Sequence, residues 1–204
     1  MKKIVSATAL MVLFACTALQ ATPYYGYAQP QMRAQPIEPA GPGQVLREGI
    51  GKLLKFMRRP ERPNQRAIAA FLQNEIAPYF DFAYMSTWVA GPMNRHMNDQ
   101  QRAELAQSVE QLLLGTLAER LVSYQNQDVR FYPPRRVGEN EVKVRLAILQ
   151  ANGYPANLDF RFYRGATGWK VFDVAANGSS ALTYYRQYFS RRLGASQRAP
   201  RRGY

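Results

Sequence analysis

The spacing of apolar residues changes period near the middle of this chain. Up to about residue 124 they recur every three to four positions, the spacing of helices that bury one side. The segment "VLREGIGKLLKFMRR" sets Val45, Ile50, Leu53, Leu54 and Met57 apart from Arg47, Lys52, Lys55 and Arg58, and it stops before Pro60. In "NQRAIAAFLQNEIAPYF" the helical positions are Ile68, Phe71, Leu72 and Ile76, with Pro78 as the stop. The longest helix is predicted over residues 99–124, with Asn98 as its cap and Gln101 three residues on. It carries Leu105, Val109, Leu112, Leu113, Leu117, Leu121 and Tyr124. Three leucines in a row, Leu112, Leu113 and Leu114, make the apolar stripe broad, and a broad stripe needs an apolar cover.

Beyond residue 124 the pattern alternates. "DVRFYP", "NEVKVRLAILQ", "NLDFRFYR" and "WKVFDVAA" read as four strands, joined by turn signals in "VGEN", "ANGYPA" and "RGATG". Such short links imply an antiparallel meander. One face holds Val142, Val144, Leu146, Ile148, Leu158, Phe160 and Phe162; the other holds Lys143, Arg145, Asp159 and Arg161, as on a solvated side. Helices first and strands second predict an α+β fold: helices packed on the apolar face of a curved antiparallel sheet of about four strands.

The ends of the chain change the picture. Lys2 and Lys3 precede an apolar run over residues 4–15, the charge order and length of a secretory signal, here assigned to residues 1–21. Export is expected. The lone cysteine, Cys16, lies where a lipoprotein signal would be processed, so a lipid anchor there is the alternative to soluble release. A single cysteine permits neither an intramolecular disulfide nor a multi-cysteine metal site. Residues 22–43, rich in Pro, Tyr and Gln, read as a flexible tether, and residues 194–204 as a disordered basic tail. This leaves residues 44–193 for the folded domain. Positive charge is confined to its flanks. Residues 44–66 hold seven cations against Glu48 and Glu61, residues 184–204 hold six arginines and no acid, and the centre balances. That distribution suits peripheral contact with an anionic surface better than an acid-lined cleft.

Candidate chemistry concentrates in "GWKVFDVAANGSSALTYYRQYF", over residues 168–189. Ser179 or Ser180, His96 and Asp173 can be assembled on paper as a triad, but no nucleophile-elbow sequence surrounds either serine, and His96 sits in a polar loop. Asp173, between Phe172 and Val174, reads either as a general base or as a carboxylate held by nearby backbone or an arginine; the latter is preferred. No catalytic residue, metal ligand set or cofactor motif is assigned. Interleaved Arg and Tyr in "TYYRQYFSRR" match single-strand binders, yet an exported protein rarely meets nucleic acid, and none is expected as a partner.

Three passages in order resemble the MlaC family of periplasmic phospholipid-binding proteins, also called toluene-tolerance proteins. They are "NEIAPYFDFAYMSTWVAG", "NDQQRAELAQSVEQLLLGTLAERLVSY", and the end of the chain from Gly168, Trp169 and Lys170 through Asp173, Gly178, Ser180, Tyr185, Arg186 and Phe189. The resemblance implies a periplasmic carrier without covalent chemistry. It would shuttle glycerophospholipid between an outer-membrane MlaA-type lipoprotein complex and the MlaD-type ring of an inner-membrane ABC transporter, maintaining outer-membrane lipid asymmetry.

A physical requirement runs beside this resemblance. Exposing an acyl chain of about 15 methylenes costs roughly 12 kcal/mol at about 0.8 kcal/mol per CH₂, so a carrier needs an apolar pocket between sheet and helices. The expected lining is Phe80, Phe82, Met85, Leu113 and Leu117 from the helical half. The sheet would supply Val142, Val144, Leu146, Ile148, Phe160, Phe162, Val171, Phe172 and Val174. Trp88 is a further candidate for the mouth, and for each residue an ordinary filled core is the alternative. Gly178 is expected to permit a tight strand-to-helix turn, and Ser180 to cap the following helix while donating to nothing. Tyr185 and Arg186 are the head-group candidates, with an ion pair to Asp173 as the other reading of Arg186.

Overall fold

Residues 41–151 and 153–197 are described by a computed structural model. The expected signal segment, the tether as far as residue 40, Cys16 and the tail after residue 197 lie outside them. The helical half comprises α1 (Pro42–Met57), α2 (Gln65–Phe71), α3 (Phe82–Ala90) and α4 (Asp99–Val122). Strands β1 (Val129–Phe131), β2 (Arg135–Arg136), β3 (Glu141–Ile148), β4 (Ala156–Gly165), β5 (Gly168–Ala176) and β6 (Ser179–Ser180) follow, and then α5 (Ala181–Gln197). Helix α1 therefore begins two positions before the expected domain start, with Pro42 in the first turn where its missing N–H is harmless. At the other end, α5 includes residues 194–197, which had been read as tail.

Helix α1 is turned relative to its expected face. Leu46, Gly49, Leu53, Phe56 and Met57 are buried, while Val45, Ile50 and Leu54 flank them half-buried. Gly49 is buried in the middle of this face, with the Tyr79 ring 3.5 Å from where a Cβ would stand. Asn64 caps α2 by accepting the Ala67 N–H at 2.9 Å. Pro78 has no N–H to give and would crowd the carbonyl four residues back. The chain accordingly widens into a π turn over Leu72–Ile76, closed by Ala77 N–H to the Leu72 carbonyl, before a 3-10 turn at Ala77–Tyr79. Asn98 and Gln101 form the expected reciprocal cap of α4, at 2.8 and 2.9 Å.

The sheet is antiparallel, in the order β1-β3-β4-β5-β6, and β2 also lies on the β1 side of β3. The four expected strands are present, supplemented by the two-residue strands β2 and β6. Along the outer edge, β1 and β2 are separated by a short stretch that contains Pro133 and Pro134. Phe80 makes a parallel bridge to Val171, and the Asp81 N–H donates to the Val171 carbonyl at 2.9 Å, tying the start of α3 to β5.

A bulge in β5 decides which side chains face which way. Arg161 pairs with Asp173 but Phe162 pairs with Val171, leaving Phe172 as the extra residue. Val171 and Val174 thus share the inner face with Phe160 and Phe162, packed with Val142, Val144 and Leu146 under α1. Phe172 packs instead with Met85, Val89, Val109, Leu182 and Tyr185, from α3, α4 and α5. A third cluster joins α1, α2 and α4 through Leu53, Phe56, Ile68, Leu72 and Leu114. The exposed face carries the expected charges, with Arg145 donating to Asp159 at 2.6 and 2.9 Å. That hydrogen bonding, more than the opposing burial, draws the Asp159 carboxyl below its usual range.

The expected enclosed pocket is not seen among the described residues. Phe162, Phe172 and Met85 are fully buried, the first in the cluster under α1 and the other two in the cluster with α3, α4 and α5.

Candidate functional site

Residues 168–189 turn out to be a wall that is locked from within. Asn177 and Gly178 have φ of 48° and 88°, so the turn is a two-residue hairpin from β5 into β6 and not the strand-to-helix turn expected of Gly178. It returns Ser180 beside Asp173. The Ser180 hydroxyl donates to the Asp173 carboxylate, 2.8 Å from one oxygen and 3.0 Å from the other, and accepts the Thr183 N–H at 3.3 Å. The expectation that Ser180 donates to nothing is therefore corrected: its proton needs an acceptor once the residue is tucked behind β5. Asp173 also accepts the Leu182 N–H at 3.2 Å and lies 3.8 Å from Arg161 Nη1. At 2 % exposure, with these partners, it is the structural carboxylate. Among the described residues no hydrogen bond joins His96 to Asp173, Ser179 or Ser180; His96 stands exposed at the end of the 3-10 segment Gly91–His96.

The two head-group candidates separate. Tyr185 is buried in the α3–α4–α5 cluster with its hydroxyl beside Thr116, and burial pushes its phenol up to about 12. It cannot reach a phosphate in solvent, which corrects its assignment: the helix turns Tyr185 inward and its neighbour outward. Arg186 is exposed and makes no ion pair among the described residues, with Asp173 or any other acid. Its guanidinium rests against Gly91, where a Cβ would come within 2.7 Å of Nη2. Gly91 follows α3 with φ 55° and ψ −131°, a conformation that only glycine adopts readily.

Beside Arg186 opens a hollow of about 220 Å³, lined chiefly by Val89, Met93, Met97, Leu105 and Phe189. Val89 and Leu105 also belong to the α3–α4–α5 cluster, so the hollow is the outer end of that apolar interior. The sequence reading missed Gly91, Met93 and Met97; a glycine closing a helix, with two methionines after it, was the available signal.

The expected acyl-chain residues fall into three packed groups. Val142, Val144, Leu146, Ile148, Phe160, Phe162, Val171 and Val174 face α1. Leu117 packs among α1, α2 and α4. Met85, Leu113 and Phe172 lie with α3, α4 and α5. Phe80 touches all three groups, and Phe82, stacked on it at 5.6 Å, touches two. Trp88 is 43 % exposed and lies over the Phe172 and Arg161 side of the sheet. Asp81 holds this junction in place: it caps α3 by accepting the Tyr84 N–H at 2.8 Å and accepts the Tyr163 hydroxyl. Burial, reinforced by that carboxylate, raises the Tyr163 phenol well above its usual value. A second, polar concavity of about 570 Å³ lies elsewhere, between residues 125–128 and 149–151.

Comparison with known proteins places this geometry in a family. A solved structure of a phospholipid-binding protein from Ralstonia solanacearum, in complex with a phospholipid, is similar in fold, with a TM-score of 0.69 and 23 % identity, over 78 % of this chain and 90 % of that one. No curated protein matches the chain. The family model described as MlaC protein matches residues 48–199, nearly all of the folded part. The chain belongs to the MlaC family.

Proposed function

We propose that this protein is a periplasmic phospholipid carrier. It takes up glycerophospholipid with its acyl chains inside the fold and passes it between an outer-membrane MlaA-type lipoprotein complex and an MlaD-type ring of an inner-membrane ABC transporter. Family membership and the phospholipid held by the Ralstonia solanacearum protein support the ligand class. The observation that carries the reading for this chain is the apolar hollow continuous with the core, with an arginine at its rim that has no carboxylate partner among the described residues.

The hollow's 220 Å³ is below the roughly 300–1,000 Å³ of ordinary ligand pockets, so loading must part the packed clusters. The half-buried side chains at their meeting place, Phe80, Phe82, Leu113 and Leu117, are where chains enter with least loss of existing contact. Met93 and Met97 adapt to different tails because their thioethers are flexible. Arg186 pairs with the phosphate outside.

The test is to purify the exported chain without detergent, extract it with organic solvent and identify the extract by mass spectrometry. Near-stoichiometric diacyl phospholipid is expected. An empty extract, even after incubation with vesicles, would overturn the reading. In Arg186→Gln, retention of phospholipid against acceptor vesicles should fall about tenfold, the worth of one charge-assisted contact; unchanged retention removes Arg186 from the head-group role.

A further inference from the structure

The cations of residues 44–66 have no part in the carrier site. Helix α1 ends, α2 begins and α4 ends at the same extremity of the fold, because Arg62 in the α1–α2 link donates to the carbonyls of Val122 and Tyr124. Gathered there are Lys55, Arg58, Arg59, Arg62, Arg66 and Arg120, all exposed, against the carboxylates Glu61, Glu119 and Asp128. Lys55 lies in the last turn of α1, and Arg58 and Arg59 directly follow that helix, so three cations stand at its C-terminal end, where the helix dipole favours them.

What little pairing exists leaves the charge available. Arg58 meets Asp128 only at 3.5 Å, with both groups in solvent. Arg59 lies 4.7 Å over the ring of Phe56, which is itself stacked on Phe71 at 4.1 Å, so its guanidinium is presented from a fixed base. Lys55, Arg66 and Arg120 make no ion pair among the described residues. Val122, 46 % exposed, adds an apolar contact in their midst. Adjoining this end is the concavity of about 570 Å³, lined by Gln125, Asn126, Gln127 and Gln150, whose amides both donate to and accept from hydroxyls, and by Asp128, whose carboxylate accepts from them.

We propose that this end, where α1, α2 and α4 meet, is a docking face for the surface of an anionic bilayer. The cations are spread over three elements, which fits many laterally mobile phosphates better than one shaped protein partner. The amide-lined concavity receives the hydroxyls of a glycerol or sugar head group. This goes beyond the carrier reading and does not need a lipid inside the fold.

The experiment is co-sedimentation of the purified full chain with vesicles of phosphatidylcholine alone, or with phosphatidylglycerol mixed in, at low and raised salt. Binding only to the anionic vesicles, weakened by salt, is expected. Combined Lys55→Gln, Arg58→Gln and Arg59→Gln substitutions should lower that affinity on the order of a hundredfold, from three cations at the surface, with thermal midpoint and extracted phospholipid unchanged. Arg62 is left in place because it holds the end of α4. An independent Arg66→Gln, Arg120→Gln pair should weaken binding in the same direction. Three results overturn the proposal: no vesicle binding, equal binding to neutral vesicles, or binding that survives these substitutions and disappears when residues 198–204 are removed. Because bound phospholipid is measured separately, failure of this face is distinguishable from failure of the carrier reading.

Discussion

At the scale of single residues, Asp173 shows how a catalytic-looking group is spent on architecture. Its carboxylate collects the Ser180 hydroxyl and the Leu182 N–H and faces Arg161, joining β5, β6 and α5 at one point. Asp173→Ala should destabilise the fold by about 3 kcal/mol, because it leaves buried donors unsatisfied. Urea unfolding reads this directly, and a variant as stable as the parent would contradict the role. Tyr185 carries a pH signature. An unfolded tyrosine titrates near 10, whereas burial holds this one at about 12. A raised value means that the folded form retains the proton, so the contribution is complete below about pH 10 and is lost as pH climbs towards 12. About 2 kcal/mol should disappear over that window. Tyr185→Phe should flatten this alkaline fall in stability, measured as the urea midpoint against pH.

At the scale of elements, Gly91 links the end of α3 to the hollow. Gly91→Ala is expected to cost about 1–3 kcal/mol through backbone strain and to push the Arg186 guanidinium off its seat. Thermal melting measures the first effect, and loss of phospholipid retention matching that of Arg186→Gln measures the second. Elements were also where the sequence was most and least legible. The cap of α4 could be read because Asn98 and Gln101 act locally, at a fixed separation. The charged face of the sheet could be read because Lys143, Arg145, Asp159 and Arg161 follow strict alternation. The bulge could not, since strict alternation cannot set Val171 and Val174 on one face, and the extra residue at Phe172 is fixed by α3 and α5 packing over it. The rotation of α1 was hidden for a related reason: Gly49 looks like a gap in the apolar pattern, yet it is buried against the Tyr79 ring. In the site, Arg186 was legible as a cation among aromatics, whereas the inward turn of Tyr185 depends on the phase of α5.

For the whole molecule, three clusters meet at Phe80, and on the proposed carrier reading acyl chains enter where they meet. A ligand that binds only the folded state stabilises it by mass action. Protein stripped of lipid should therefore melt at a lower temperature than protein purified with its lipid, and incubation with phospholipid vesicles should restore the midpoint. Identical midpoints would argue that acyl chains do not enter the core. The broken outer edge of the sheet has a separate consequence. A long uninterrupted border strand is a template on which another chain can polymerise. Here three paired residues in β1 and two in β2 are separated by a stretch holding two prolines that offer no N–H, and Arg130, Arg135 and Arg136 stand exposed along the same border. Pro134 is also wedged against Gly43 at the start of α1, so the interruption is anchored to the helical layer. On the proposed carrier reading, copies caught open during lipid exchange are thereby denied this border as a place to fuse into fibres.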